Sequence, residues 1–234
     1  MGKGAALRWA ENRYLRRYFQ GRGLEIGGLW RKFKVSPQTK VWYVDRLSTE
    51  ELARQYSEVD AILVAPDLIA DAELLPIGSA SVDFLIASHV LEHLRFPLDA
   101  LRSWYEALKP GGYLLLKIPD KRFTFDRHRK RTTLQHLIEE AQNPADFDVP
   151  AHYADWVQFA NHFSPGTPAF IHQLEHLMAI EYSIHYHVWI DEDVRELTDY
   201  TQQALKFDWY PVVFWRAHFF RKECVVLLQK NYSS

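Results

Sequence analysis

Apolar side chains recur along the chain with two periods, and the switches between them mark out its elements. Over residues 5–20, Leu7, Ala10, Tyr14, Leu15 and Tyr18 return at steps of three and four, with Arg8, Glu11, Arg16 and Arg17 between them. That spacing predicts an amphipathic helix. Compact runs of aliphatic, β-branched and aromatic residues at 23–28, 40–45 and 59–64, each bounded by turn formers, predict three strands. Residues 81–87 and 112–118 add a fourth and a fifth. Between these two, 98–108 is helix-periodic and stops at Lys109-Pro110-Gly111-Gly112, a helix terminator followed by a new strand. Strands separated by helix-length connections predict βαβ units, hence a mainly parallel, doubly wound α/β sheet with helices on both faces.

Beyond Pro119 the rhythm changes. Pro144, Pro150, Pro165 and Pro168 divide short helical pieces up to residue 190, and eight of the eleven histidines fall in this stretch. It is expected to be a helical insertion covering the ligand edge of the sheet. Residues 191–204 then predict a helix with Asp191 as its N-cap, and 207–219 and 223–229 predict two closing strands, an antiparallel pair that completes seven. The expected organisation of 1–234 is one domain. It comprises a cofactor-binding half at 22–119, a substrate-covering insertion at 120–190, and a closing helix with two strands at 191–234.

Composition narrows the class. With 28 Lys and Arg against 30 Asp and Glu, a net charge of −2 and 47% hydrophobic residues, the 234-residue chain reads as an ordinary globular domain, neither a disordered tail nor a nucleic-acid coat. The single Cys224 excludes an internal disulfide, no leader peptide is readable, and a reducing cytoplasm is the expected compartment. No apolar run approaches the roughly 18–20 residues that cross a bilayer. Asn231-Tyr232-Ser233 fits a glycosylation sequon and, without an export signal, is read as chance.

In an open α/β sheet, ligands bind outside the carboxyl ends of the strands, where the βα loops and helix N-termini converge. Residues ending each strand therefore carry the information. Gly27-Gly28 follow the first strand and let backbone come close to a ligand, and Glu25 lies in the strand that delivers them. Asp45 closes the second strand 18 residues beyond Gly27, where a carboxylate can accept hydrogen bonds from both ribose hydroxyls. Asp71-Ala72-Glu73 follow the third, and the fourth opens into Ser88-His89-Val90-Leu91-Glu92-His93. The G-x-G-x-x-G of nicotinamide enzymes is absent, as is an N/D-P-P-Y/F/W run of nucleic-acid methylases after the fourth strand; no nucleic-acid partner is expected.

The ordered set Leu24-Glu25-Ile26-Gly27, Val44-Asp45, Asp71-Ala72-Glu73 through Leu75-Pro76, Val82-Asp83-Phe84, Ser88 to His93 and Leu108-Lys109-Pro110-Gly111-Gly112 resembles the class I S-adenosylmethionine-dependent methyltransferases of the small-molecule type. It covers about residues 22–119. The resemblance implies a Rossmann-like seven-stranded sheet and S-adenosyl-L-methionine as cofactor. It implies Gly27 and Gly28 along the methionine moiety, Asp45 on the ribose, Asp71 and the Ala72 backbone at the adenine, and His89 beside the sulfonium. One departure stands out: the family's E-x-G-x-G-x-G loop reads Glu25-Ile26-Gly27-Gly28-Leu29-Trp30-Arg31 here, with Leu29 and Arg31 in place of the later glycines. A noncatalytic binding module with a degenerate loop is therefore the alternative to an enzyme.

The run from Ile118 through Arg129, followed by Thr132-Thr133-Leu134, resembles uncharacterised methyltransferases associated with cell-surface saccharides. Six Lys or Arg within the eleven residues 121–131 form a basic lip, read either as a solvated helix start or as a site for a phosphate or carboxylate. Lys121, Arg127 and Arg129 are its substrate-binding candidates. Paired histidines at 172/176 and 185/187 lack a metal-ligand spacing such as H-E-x-x-H, so no metal ligands are assigned and a metal-dependent hydrolase stays a third reading. Insertion aromatics such as Trp156, Tyr182 and Tyr186 are read as packing first and as a sugar platform second.

Methyl transfer is an in-line displacement, in which the protein aligns the acceptor, excludes water and, for a hydroxyl, removes a proton. His89, His128, His185 and His187 are the candidate bases, with Asp120 and Asp126 as orienting carboxylates. The expected acceptor is a small polar or saccharide-type molecule, of anionic character if the basic lip meets it, methylated at oxygen.

Overall fold

The computed structural model describes residues 3–57 and 60–232. Among them a seven-stranded sheet has the order β3-β2-β1-β4-β5-β7-β6. The strands are β1 (Arg22–Ile26), β2 (Lys40–Asp45), β3 (Leu68–Ile69), β4 (Val82–Ser88), β5 (Leu108–Pro119), β6 (Trp209–Trp215) and β7 (Glu223–Lys230). Pairing is parallel from β3 to β5, and antiparallel where β7 joins β5 and β6. The helices are α1 (Lys3–Leu15), α2 (Thr49–Gln55), α3 (Pro97–Ala107), α4 (Leu134–Gln142), α5 (Val149–Phe159), α6 (Pro168–Ala179) and α7 (Asp191–Gln203). The doubly wound sheet, the antiparallel closing pair and the helical insertion after β5 agree with the expectation from periodicity.

Alternation along the central strands builds two cores. Leu85 and Ala87 of β4, with Leu114 and Leu116 of β5 and Val226 and Leu228 of β7, meet Leu101 and Trp104 of α3 and Val194 and Leu197 of α7. Phe84 and Ile86, with Leu115, Val225 and Leu227, point the other way and meet Leu15, Phe19 and Phe33. The period of two therefore dictates which residue faces which helical layer. Gly23 is required in β1 because a Cβ there would lie 2.2 Å from the Phe84 ring. The insertion builds a third cluster of its own from Tyr153, Trp156, Val157, Phe170, Leu177, Ile184 and Tyr186, so packing is what most of its aromatics do.

Four expectations are corrected. The third strand lies at Leu68–Ile69, beyond the predicted 59–64 run; Val59 lies outside the described residues, 60–64 is not strand, and Ile62 is 94% exposed. Asp67 directs the pairing: its N–H donates to the Tyr43 carbonyl, and its carboxylate accepts from the Tyr43 N–H at 2.8 Å. In α1 the inward face carries Glu11 and Leu15, while Ala10 and Tyr14 are exposed. Glu11 is tolerated there because Arg221 donates to it at 2.5 Å. Leu108 to Gly111, expected to precede the fifth strand, lie within β5, with an irregularity between the pairs Val82–Leu108 and Phe84–Tyr113 and Gly111 at φ +79°. Asp191 is the first residue of α7 and not its cap; its carboxylate binds Arg122 and Arg216, and Asp193 accepts from the Ile190 N–H at 2.9 Å.

Candidate functional site

A cavity of about 810 Å³ opens at the carboxyl ends of β1, β2 and β4. Parallel strand order places it there, since the loops after these neighbouring strands emerge on one edge. Its floor and sides include Gly27, Leu29, Asp45, Asp71, Ala72, Glu73, His89 and His93. Its roof comes from the insertion, through Tyr153 and the segment 181–186. Arg46 and Gln55 tie that roof down, each donating to the Glu181 carbonyl at 3.2 Å.

The glycine loop leaves β1 with Gly27 at φ +63° and its N–H donating to the Val44 carbonyl at 2.9 Å. A Cβ on Gly27 would meet Val90 at 2.8 Å. Leu29, where the pattern of the resembled family has a glycine, takes a left-handed conformation at φ +40°, one that costs an L-residue roughly 1–2 kcal/mol. Glu25 lies behind the loop, 2% exposed, with both carboxylate oxygens accepting from the Phe33 N–H at 2.8 and 3.0 Å. Burial pushes its carboxyl up to about 7 against the Phe33 hydrogen bond, Lys32 and Lys117. Asp45 is also raised by burial, opposed by the Leu47 and Arg46 N–H groups.

His89 sits at φ +56° on the cavity wall, and its Nε2 lies 2.6 Å from a Glu223 carboxylate oxygen supplied by β7. Burial works against the imidazolium, but Glu223 and Glu92 together hold His89 above its ordinary value. Glu223 would be raised by burial, and contact with His89 and Lys117 holds it at about 2. An acid–base group oriented by a carboxylate is the arrangement that proton transfer uses.

The structure brings together Gly27, Asp45, Asp71, Ala72 and His89. Gly28 lies beside the cavity, in reach of Tyr43 and Glu25. The other histidine candidates stand apart from its wall. His185 is buried, its Nδ1 2.8 Å from Asp126. His187 is fully buried, its Nε2 donating to the Arg95 carbonyl at 3.2 Å; burial drives it down to about 3 despite Glu140. His128 is exposed and meets the Arg127 Nε at 2.9 Å.

The basic lip does not rim the cavity. Arg129 is 3% exposed and is consumed by ion pairs with Asp126 at 3.0 Å and Asp155 at 2.5 Å. Lys121 donates to the Arg127 carbonyl at 2.9 Å, and Arg127 points to solvent. Asp120 is buried and holds Arg122 at 2.6 Å. The guanidinium groups on the cavity wall are instead Arg46 and Arg95. Sequence reasoning passed over these two, together with Glu223, Tyr153 and Ser183. Only the position of Arg46, next to Asp45 at a strand end, carried a signal.

Residues 23–116 match the protein family described as "Methyltransferase domain". An uncharacterised 37.1 kDa protein in transposon TN4556 of Streptomyces fradiae is 32% identical over 43% of this chain and 28% of its own length. The ubiquinone/menaquinone biosynthesis C-methyltransferase of Laribacter hongkongensis is 31% identical over 37% of this chain and 35% of its own. The chain thus spans about a third of the length of the curated relatives it matches. A solved structure from Rhodobacter sphaeroides, named for the Zn-dependent alcohol dehydrogenases, superposes with a TM-score of 0.56 at 14% identity, covering 95% of this chain and 90% of that one. At that identity the likeness is one of fold. Strand order, antiparallel β7 and the insertion after β5 define a Rossmann-like class I methyltransferase fold. No helix among the described residues is long and apolar enough to cross a membrane.

Proposed function

We propose that this chain is an S-adenosylmethionine-dependent methyltransferase acting on a small polar or saccharide-type acceptor at oxygen. The observation that carries the reading is the convergence of Gly27, Asp45, Asp71, Ala72 and His89 on one cavity at the strand carboxyl ends. Asp45 would accept from the ribose hydroxyls, Asp71 and the Ala72 backbone would meet the adenine, and Gly27 would admit the methionine moiety. The cofactor supplies an electrophilic methyl on a sulfonium. The chain's own residues then have three tasks: to align the acceptor, exclude water and take a proton. The roof of Tyr153, Tyr182 and Tyr186 would keep water from the acceptor, and the half-buried Tyr182 ring would be the one to meet a pyranose. Arg46 and Arg95 supply charge for an anionic substituent. His89, oriented by Glu223 at Nε2, would take the proton at Nδ1 when its ring is neutral; an acceptor that is already anionic needs no base.

Titration with S-adenosylhomocysteine by calorimetry tests the reading. Saturable one-to-one binding is expected, weakened about 100-fold or more in Asp45→Ala, since two charge-assisted hydrogen bonds are lost. One observation favours a second reading, a binding module without catalysis: Leu29 is held at φ +40° where the resemblance calls for a glycine. Absence of S-adenosylhomocysteine binding by the wild type would select it.

A further inference from the structure

Glu92 is a buried carboxylate that the proposed methyl transfer does not use. It follows β4 on the turn Leu91–His93 and is 1% exposed; among the described residues neither carboxylate oxygen has a hydrogen-bond partner, and the His89 Nδ1 pairs with it only at 3.6 Å. A buried carboxylate is costly without hydrogen bonds, and the His89 contact at 3.6 Å is too long to be one. Two further imidazoles, those of His93 and His185, flank it. The His93 Nδ1 donates to the Ile184 carbonyl at 2.9 Å, with the Ser183 hydroxyl at 3.1 Å. The His185 Nδ1 donates to the Asp126 carboxylate at 2.8 Å. Each ring thus has its Nδ1 occupied, and neither Nε2 has a hydrogen bond among the described residues. The rings stand edge to face with centroids 4.6 Å apart. One ligand atom from each of Glu92, His93 and His185 lies within 4.8 Å of the others.

We infer that Glu92, His93 and His185 bind a divalent first-row transition-metal ion in the buried layer behind the cavity wall, which His93 reaches. Two imidazoles and one carboxylate are a ligand set for such ions. Ligand atoms about 2.0–2.2 Å from a shared centre lie roughly 3–4 Å apart, so small side-chain rotations close the site. The outer shell is already built, because metal-bound histidines donate their second nitrogen to a carboxylate or carbonyl, as Asp126 and Ile184 accept here. Asp126 is itself held by Arg129 at 3.0 Å. Of the three, His93 also lines the cavity. The metal site does not depend on the methyl-transfer reading.

Protein freed of metal by chelator dialysis is titrated with zinc and manganese chlorides by calorimetry, separately from the S-adenosylhomocysteine titration, so that the two readings fail independently. One site per chain is expected. Glu92→Gln and His185→Ala should weaken it at least about 100-fold, and Asp126→Asn about 10–100-fold, each checked for folding by circular dichroism. His172→Ala, in the exposed pair with His176, and Glu140→Gln, in the cluster with His136 and His152, should leave it intact. Binding unaffected by Glu92→Gln, lost in either control variant, or absent from the wild type overturns the inference. Should the variants not fold, cobalt(II) loading of the wild type decides: strong visible bands of four- or five-coordinate ligation support the site, and the faint bands of six-coordinate aquo cobalt refute it.

Discussion

Replacing Glu25 with Gln isolates a buried carboxylate whose ionisation opposes folding. The side chain is 2% exposed, its opposing charges Lys32 and Lys117 do not offset its burial, and its carboxyl moves from 4.5 to about 7. Between those values the folded chain holds a proton that the unfolded chain has released. Stability from this group is therefore full below 4.5 and is lost as the pH rises through 7. At 1.36 kcal/mol per unit, the loss between about pH 5 and about pH 8 is about 2–3 kcal/mol. The amide oxygen of Gln keeps the bond from the Phe33 N–H and carries no charge. All other groups titrate alike in both proteins, so the difference between the two urea-unfolding free energies removes them. Glu25→Gln should match the wild type within about 1 kcal/mol near pH 5 and exceed it by about 2–3 kcal/mol near pH 8. A difference that is the same at both pH values would refute the reasoning, because it would mean that Glu25 ionises equally in both states.

Gly27→Ala forces a Cβ onto a left-handed residue 2.8 Å from Val90, and should cost about 1–2 kcal/mol from conformation alone; an unchanged melting temperature would contradict it. Leu29→Gly should do the reverse, stabilising by about 1 kcal/mol in urea unfolding, and destabilisation would show that the Leu29 side chain contributes more than its backbone costs. Arg129→Ala leaves Asp126 buried with only His185 and Thr124 as side-chain partners. A loss of about 3–5 kcal/mol in unfolding free energy is expected, and a loss below about 1 kcal/mol would mark Arg129 as a surface charge after all.

Local pattern carried the sheet a long way. The run 40–45 is β2 to the residue, and 98–108 differs from α3 by one position at each end, because burial of alternate or every third to fourth side chain leaves a trace in neighbouring residues. Where that trace was short it misled. The apolar run at 59–64 looked like a strand, but pairing with β2 was decided by Asp67, whose backbone and side chain both engage Tyr43. The cofactor-side candidates were legible for a related reason: Asp45 ends a strand and Gly27, Asp71 and His89 each follow one, and parallel neighbours bring such positions to one edge.

The sequence by itself determined the order of strands and helices, the edge on which the cavity opens, and the residues that end the strands there. Tertiary structure alone decided which charges face that edge. Arg129 looked like part of a basic lip, yet it turns inward to Asp126 and Asp155. Glu223 reaches His89 across 134 residues, and His185 reaches Asp126 across 59 and meets His93 ring to ring. Periodicity reports only whether a side chain faces a core, since it arises from the backbone's own repeat. Which partner that side chain meets depends on where a distant segment packs, and no spacing of neighbouring residues encodes that.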